Sequence, residues 1–130
     1  MSDAGCTLFV CVSCQVADAT APDGTARPGR DLLAALREAG PIEGVTIAPV
    51  DCLAVCKRPT TVALSGPERW IYVIGDLAGP EAAAEIRDYA RAYALTENGI
   101  VAWRDRPKSV RKGVISRTPP PHFRQPEAAE

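Results

Sequence analysis

Two close pairs of cysteines, Cys11-Val-Ser-Cys14 and Cys52-Leu-Ala-Val-Cys56, each follow a short apolar run, residues 7–10 and 45–50. Both pairs therefore fall where a strand gives way to a loop, and two loops at one end of a small sheet bring four thiols to one point. Soft thiolate ligands suit iron–sulfur clusters and zinc, and four cysteines are the usual complement of a [2Fe-2S] centre. The chain has five cysteines, so one is left over. Cys6 lies at the far end of the first strand, several extended residues from the loop, which favours Cys11, Cys14, Cys52 and Cys56 as the ligand set. The set Cys6, Cys11, Cys52 and Cys56, with Cys14 spare, stays open beside it.

Composition narrows the classes. The 130 residues are enough for one ordinary domain, 46% are hydrophobic and the formal net charge is −1. No apolar run approaches a membrane-spanning length, and the first residues lack the basic and long apolar regions of a signal peptide. A cytoplasmic location is expected, where clustered cysteines serve metals or redox chemistry more often than structural disulfides. From Arg104 to Arg124 there are seven basic residues against one acid, Asp105. Such a segment either docks an acidic protein partner or phosphate, or is solvated surface charge. Its lack of interleaved aromatic residues and the acidic pI of the chain argue against nucleic acid.

Patterning predicts the element order β-α-β-β-β-α. Residues 7–10 read as a first strand buried on both faces, 17–30 as a loop, and a helix is expected from about Asp31 to Gly40-Pro41 with Leu32, Leu33, Ala35, Leu36 and Ala39 on its apolar stripe. Strands follow at 45–50, 60–64 and 70–74, the last two joined by a Gly-Pro turn. A second helix is expected from about Pro80 to Leu95, with Ala83, Ile86, Ala90 and Tyr93 inward. This is a thioredoxin-like α/β arrangement: a four-stranded mixed sheet, two main helices, a domain over 1–99 and a basic, Pro-rich C-terminal extension over 100–130. A right-handed crossover makes the first two strands parallel neighbours, and ligands gather at the carboxyl ends of such strands. Trp70 and Tyr72 read as packing residues, Trp103 as a pin for the tail, and His122, the only histidine, as an exposed residue.

These residues carry a resemblance. Cys11-x2-Cys14, a helix, and Cys52-x3-Cys56-Lys-Arg-Pro59 before a hairpin resemble the thioredoxin-fold [2Fe-2S] ferredoxins, which include a subunit of respiratory complex I. More narrowly, Leu8-Phe9-Val10-Cys11, Asp51-Cys52-Leu53-Ala54, Trp70-x-Tyr72-x-x-Gly75-Asp76-Leu77 and Trp103-Arg104-x-Arg106-Pro107 to Arg117-x-Pro119-Pro120 resemble an uncharacterised bacterial family described as metal-binding proteins, over nearly the whole chain. Members of that family tend to lie beside genes for cobalt handling and aerobic cobalamin synthesis, which implies a role in that pathway. The ferredoxin resemblance implies single-electron transfer or redox sensing through [2Fe-2S] on Cys11, Cys14, Cys52 and Cys56, a protein redox partner and a homodimer. It also implies a cis proline at Pro59, against which base rates favour a trans turn proline. The ferredoxins usually place more residues between their first two ligands, which keeps Cys6 in play.

Lys57 and Arg58 are candidates to offset the charge of a thiolate-bound centre, or are ordinary surface charge. Two alternatives compete with the ferredoxin reading. A four-cysteine zinc site also uses two close pairs, although the 37 residues between Cys14 and Cys52 exceed the usual ribbon spacing and neither pair has an adjacent glycine. A dithiol oxidoreductase would use Cys11 as nucleophile and Cys14 as resolving thiol. It needs a helix N-terminus at Cys11, and the first helix is expected well downstream. No catalytic Ser/His/Asp set, carboxylate pair or phosphate loop is visible, so a stand-alone enzyme is not expected.

Overall fold

The computed structural model describes residues 5–13, 15–54, 57–121 and 123. The first strand, β1 (Cys6–Cys11), lies inside a five-stranded sheet between β4 (Val45–Val50) and β5 (Val62–Ser65). β6 (Ile71–Ile74) and β7 (Val114–Thr118) complete the order β4-β1-β5-β6-β7. β1 and β4 run parallel in the register Leu8 with Ile47 and Cys11 with Val50, joined through α1 (Pro28–Glu38), and every other pair is antiparallel. The parallel pair and the hairpin agree with the sequence.

Three expectations are corrected. The sheet has five strands rather than four, because β7, drawn from the segment expected to be an extension, pairs with β6. The run 17–30 is not all loop: β2 (Val16–Ala17) and β3 (Thr25–Ala26) form a small hairpin, and α1 begins at Pro28, where the missing proline N–H costs nothing. β1 is not equally buried on both faces either. Leu8 and Val10 are fully buried against the helices, while Thr7 and Phe9 on the opposite face are only partly covered.

The core lies between that first face and the helices. Leu32 and Leu36 of α1 are fully buried, as are Ile86, Ala90 and Tyr93 of α2 (Ala83–Leu95), which a short 3₁₀ turn from Pro80 to Ala82 introduces. Tyr72, Tyr89 and Tyr93 meet edge-on or tilted, at 6.2–6.5 Å between ring centres. Burial pushes the hydroxyls of Tyr89 and Tyr93 well above the usual tyrosine range. The Tyr93 hydroxyl donates to the Trp70 carbonyl, tying α2 to the start of β6. Cys6 belongs to this core at 1% exposure.

The residues after α2 fold back along the sheet. α3 (Lys108–Gly113) leads into β7, and the Glu85 carboxylate accepts hydrogen bonds from the Ser109 backbone N–H (3.0 Å) and hydroxyl (2.6 Å). Those bonds satisfy a first-turn donor of α3 and hold the Glu85 carboxyl below its ordinary pKa. Arg106 stacks on Tyr72 at 5.4 Å and donates to the Val101 carbonyl. Trp103 itself stays 61% exposed rather than pinning the tail. Trp70 meets the Arg117 guanidinium of β7 at 4.7 Å and, beyond that strand, the Phe123 ring at 5.3 Å. No helix among the described residues is long and apolar enough to cross a membrane.

Candidate metal centre

Because β1 and β4 are parallel neighbours, their carboxyl ends lie side by side, about 4.8 Å apart. Cys11 is the last residue of β1, and Cys52 follows the end of β4 by two residues. The topology thus brings the first member of each predicted pair to the same edge. The Cys11 N–H donates to the Thr61 carbonyl and the Val12 N–H to the Val50 carbonyl, both at 3.0 Å, so three loops, 11–13, 50–54 and 58–61, meet there. Cys14 and Cys56, the second members, lie outside the described residues, as does His122. Cys6, the competing ligand, sits five residues back along β1 in the core.

Cys11 is fully buried, with its sulfur 3.8 Å from the Asp51 carbonyl oxygen and 3.9 Å from the Ser13 hydroxyl. The Ser13 hydroxyl also donates to that same Asp51 carbonyl, linking the two cysteine loops directly. Cys52 is exposed, and its sulfur accepts the Ala54 N–H at 3.1 Å. Ala54 has φ +63, in the left-handed region that alanine rarely enters, and this turn directs its N–H back to the thiol.

Two structural supports were not visible in the sequence. Gly29, in the first turn of α1, packs on the Cys11 carbonyl so closely that a side chain there would overlap the oxygen. Arg30 in the same turn reaches the Val12 carbonyl at 3.3 Å. The positive end of α1 therefore does lie against the first cysteine loop, contrary to the sequence expectation. The helix begins 17 residues after Cys11, but the intervening β2–β3 hairpin returns the chain to the strand end.

The second support is the Gly75-Asp76-Leu77 segment after β6. The Asp76 N–H donates to the Arg58 carbonyl at 3.0 Å, and Leu77 and Thr60 exchange backbone bonds at 3.1 and 3.4 Å. The Arg58 guanidinium pairs with the Asp76 carboxylate at 2.6 Å, so Arg58 is engaged beside the loop, whereas Lys57 is exposed. The cis peptide falls at Pro59–Thr60, one bond after the position expected from thioredoxin folds. Thr60 and Thr61 are fully buried.

The family described as protein of unknown function (DUF1636) matches residues 8–120. The chain belongs to that family. No curated protein matches the sequence. Among solved structures, this DUF1636 protein resembles a thioredoxin-like [2Fe-2S] ferredoxin from Aquifex aeolicus, with 21% identity and a TM-score of 0.53 over 92% of this chain and 97% of that one. A second structure, of the wild-type thioredoxin-like [2Fe-2S] ferredoxin from the same organism, matches at 22% identity and a TM-score of 0.51, covering 86% of this chain and 97% of that one. The DUF1636 chain thus has a thioredoxin-like α/β fold. Among its described residues no three His, Cys, Asp or Glu side chains cluster as a metal site, two of the four candidate thiols lying outside them.

The described donors fit a thiolate-ligated centre. Such a centre is anionic, and its charge is offset by N–H groups aimed at sulfur and by nearby positive ends of dipoles. The Ala54 N–H meets the first requirement at Cys52, and the first turn of α1 packs against the backbone of the Cys11 loop.

Proposed function

We propose that this DUF1636 protein is a ferredoxin-like single-electron carrier or redox sensor holding a [2Fe-2S] cluster on Cys11, Cys14, Cys52 and Cys56. The observation that carries this reading is the β1–β4 register, which brings Cys11 and Cys52 to adjacent strand ends in a fold shared with thioredoxin-like [2Fe-2S] ferredoxins. When bound, the cluster supplies a one-electron couple. The chain's own part is to hold the thiols and set their surroundings. The Ser13–Asp51 bond fixes the two loops relative to each other. The Ala54 N–H stabilises negative charge on Cys52, and burial of Cys11 keeps water from that sulfur. A reducing cytoplasm suits five thiols in one small domain.

The test is the visible spectrum of anaerobically purified protein with iron, sulfide, zinc and cobalt quantified on the same sample. Iron and sulfide near two per chain, with colour that bleaches on reduction, support the proposal. About one zinc per chain, no sulfide and failure of iron–sulfide reconstitution would replace it with a four-cysteine zinc site.

One observation favours a second reading, a dithiol oxidoreductase on Cys11 and Cys14: the first turn of α1 packs on the backbone of Cys11, and that chemistry uses a helix N-terminus beside the attacking thiol. Cys52→Ser separates the two, because it removes a ligand from a cluster but leaves a Cys11–Cys14 dithiol intact.

A further inference from the structure

The segment 103–112 carries an exposed aromatic ring among exposed cations, with one exposed acid, Asp105, between them. Trp103 is 61% exposed, and Arg104, Lys108, Arg111 and Lys112 are all exposed. Among the described residues none of these four forms an ion pair. A large aromatic side chain left in water beside arginines is the composition of a binding hot spot rather than of ordinary surface.

The surface is built to hold its shape. The Arg111 guanidinium donates to the carbonyls of Trp103 at 3.1 Å and Arg104 at 2.8 Å, clamping the end of α3 onto the turn that carries the tryptophan. Glu85 fixes the start of α3 through Ser109, and the Arg106 guanidinium lies between Tyr72 and Trp103, 5.4 and 5.9 Å from their ring centres. A surface ordered before contact loses little entropy when a partner binds.

It is also placed beside the cysteine loops. The Gly75 N–H donates to the Gly113 carbonyl at 2.8 Å, and a Cβ on Gly113 would lie 2.6 Å from the Gly75 oxygen. A Cβ on Gly75 would in turn lie 2.8 Å from the Arg58 oxygen. The end of α3 is thus two tight backbone contacts from the 58–61 loop, whose Thr61 carbonyl accepts the Cys11 N–H. Lys108 and Lys112, one turn apart, line an open cleft of about 290 Å³ together with three carboxylates, Glu81, Glu85 and Asp76, the last being the partner of Arg58.

We propose that Trp103, Arg104, Lys108, Arg111 and Lys112 form a docking surface for an acidic protein partner, with Trp103 as the anchor that becomes buried. Charge complementarity sets the partner's sign. The compactness of the patch sets its class: the whole chain carries −1 despite this segment, so the remainder is acidic and would repel an extended nucleic acid. A protein footprint can end where the patch ends. That this partner exchanges electrons rests on the function proposed above; the docking surface does not.

The test is fluorescence anisotropy of a labelled peptide of glutamates flanking one leucine, titrated with the full chain. Saturable binding is expected, weakening about tenfold as salt rises from about 50 to about 200 mM. Lys108→Glu combined with Lys112→Glu, and separately Arg104→Glu, should each weaken it at least about tenfold with unchanged circular dichroism, and Trp103→Ala should weaken it at unchanged salt dependence. Absence of saturable binding, binding indifferent to these substitutions, or tighter binding of an oligothymidylate of equal charge would overturn the proposal. Because the readout does not use the cluster, a protein that binds the peptide but takes up no iron counts against the ferredoxin reading alone.

Discussion

Gly29 rests directly on the carbonyl oxygen of Cys11, with no room between them for a methyl group. The contact joins the first turn of α1 to the end of β1, so the position of the helix and the position of the thiol are one geometric fact. Gly29→Ala must push the two apart, and the obstacle is backbone rather than a flexible side chain. The substitution is expected to cost about 2–3 kcal/mol in urea unfolding and to lower bound metal per chain. An unchanged midpoint with full metal content would show that α1 does not fix the Cys11 loop.

The left-handed turn at Ala54 leads to a paired comparison. Glycine adopts φ +63 without strain, so Ala54→Gly should leave metal content unchanged and stability equal or higher by up to about 1 kcal/mol. Ala54→Val places a β-branched side chain in the same region and should turn the N–H away from the Cys52 sulfur. If a cluster is bound, losing a donor to sulfur disfavours the more negative reduced state, so the reduction potential should fall. Equal potentials in both variants would remove the Ala54 N–H as a determinant.

Arg58 and Asp76 are joined by side chains and also through backbone, and the two contributions are separable. Their side chains are 39% and 53% exposed, so solvent screens the ion pair. Arg58→Ala should cost under about 1 kcal/mol, an effect that shrinks at high salt, because the Asp76 N–H bond to the Arg58 carbonyl and the Thr60–Leu77 bonds remain. A loss of several kcal/mol in chemical denaturation would mean that the ion pair, not the backbone, supports the loop.

Glu85 gives a pH dependence with a definite sign. Its carboxylate accepts two hydrogen bonds from Ser109, so its folded pKa lies below the unfolded value. A depressed carboxyl pKa stabilises the fold above the unfolded value, about 4.3, and that contribution disappears as pH falls through the folded value. Stability measured across that acid range should fall less steeply in Ser109→Ala, and the Glu85 carboxyl resonance should titrate at higher pH. Identical titration curves would show that the bonds to Ser109 do not hold this carboxylate.

The parts of the fold that the sequence disclosed are those governed by local period. Leu32 and Leu36, or Ile86, Ala90 and Tyr93, repeat at helical spacing and are buried at the positions expected. β4, β5 and β6 are short β-branched or aromatic runs bounded by turn residues. β7 escaped because Val114 to Thr118 mixes two apolar residues with Ser116, Arg117 and Thr118, all exposed, and runs into Pro119-Pro120-Pro121. Its place in the sheet depends on the Gly75–Gly113 contact between residues 38 positions apart, which no local pattern encodes. The same holds at the site. Strand-end thiols were legible as Cys11 and Cys52, but the return of α1 to Cys11 is a tertiary event, and the left-handed turn at Ala54 carries no glycine to announce it.

Cys6 and Cys52 make opposite predictions, and together they decide which thiols are ligands. Cys6 is 1% exposed in the core, and a Cβ on neighbouring Gly66 would lie 2.6 Å from its sulfur, so the pocket around it is full. Cys6→Ser replaces a fully buried thiol by a smaller, more strongly hydrated hydroxyl and should cost about 1–3 kcal/mol in unfolding free energy while leaving bound metal per chain unchanged. Cys52 is exposed at a loop, so Cys52→Ser should change apo-protein stability by less than about 0.5 kcal/mol while abolishing stoichiometric metal binding. Each variant removes a single thiol, and metal analysis beside denaturation reads each effect separately. Loss of metal from Cys6→Ser with the fold intact would move Cys6 into the ligand set in place of Cys14, and retention of metal by Cys52→Ser would remove the second cysteine loop from the site altogether.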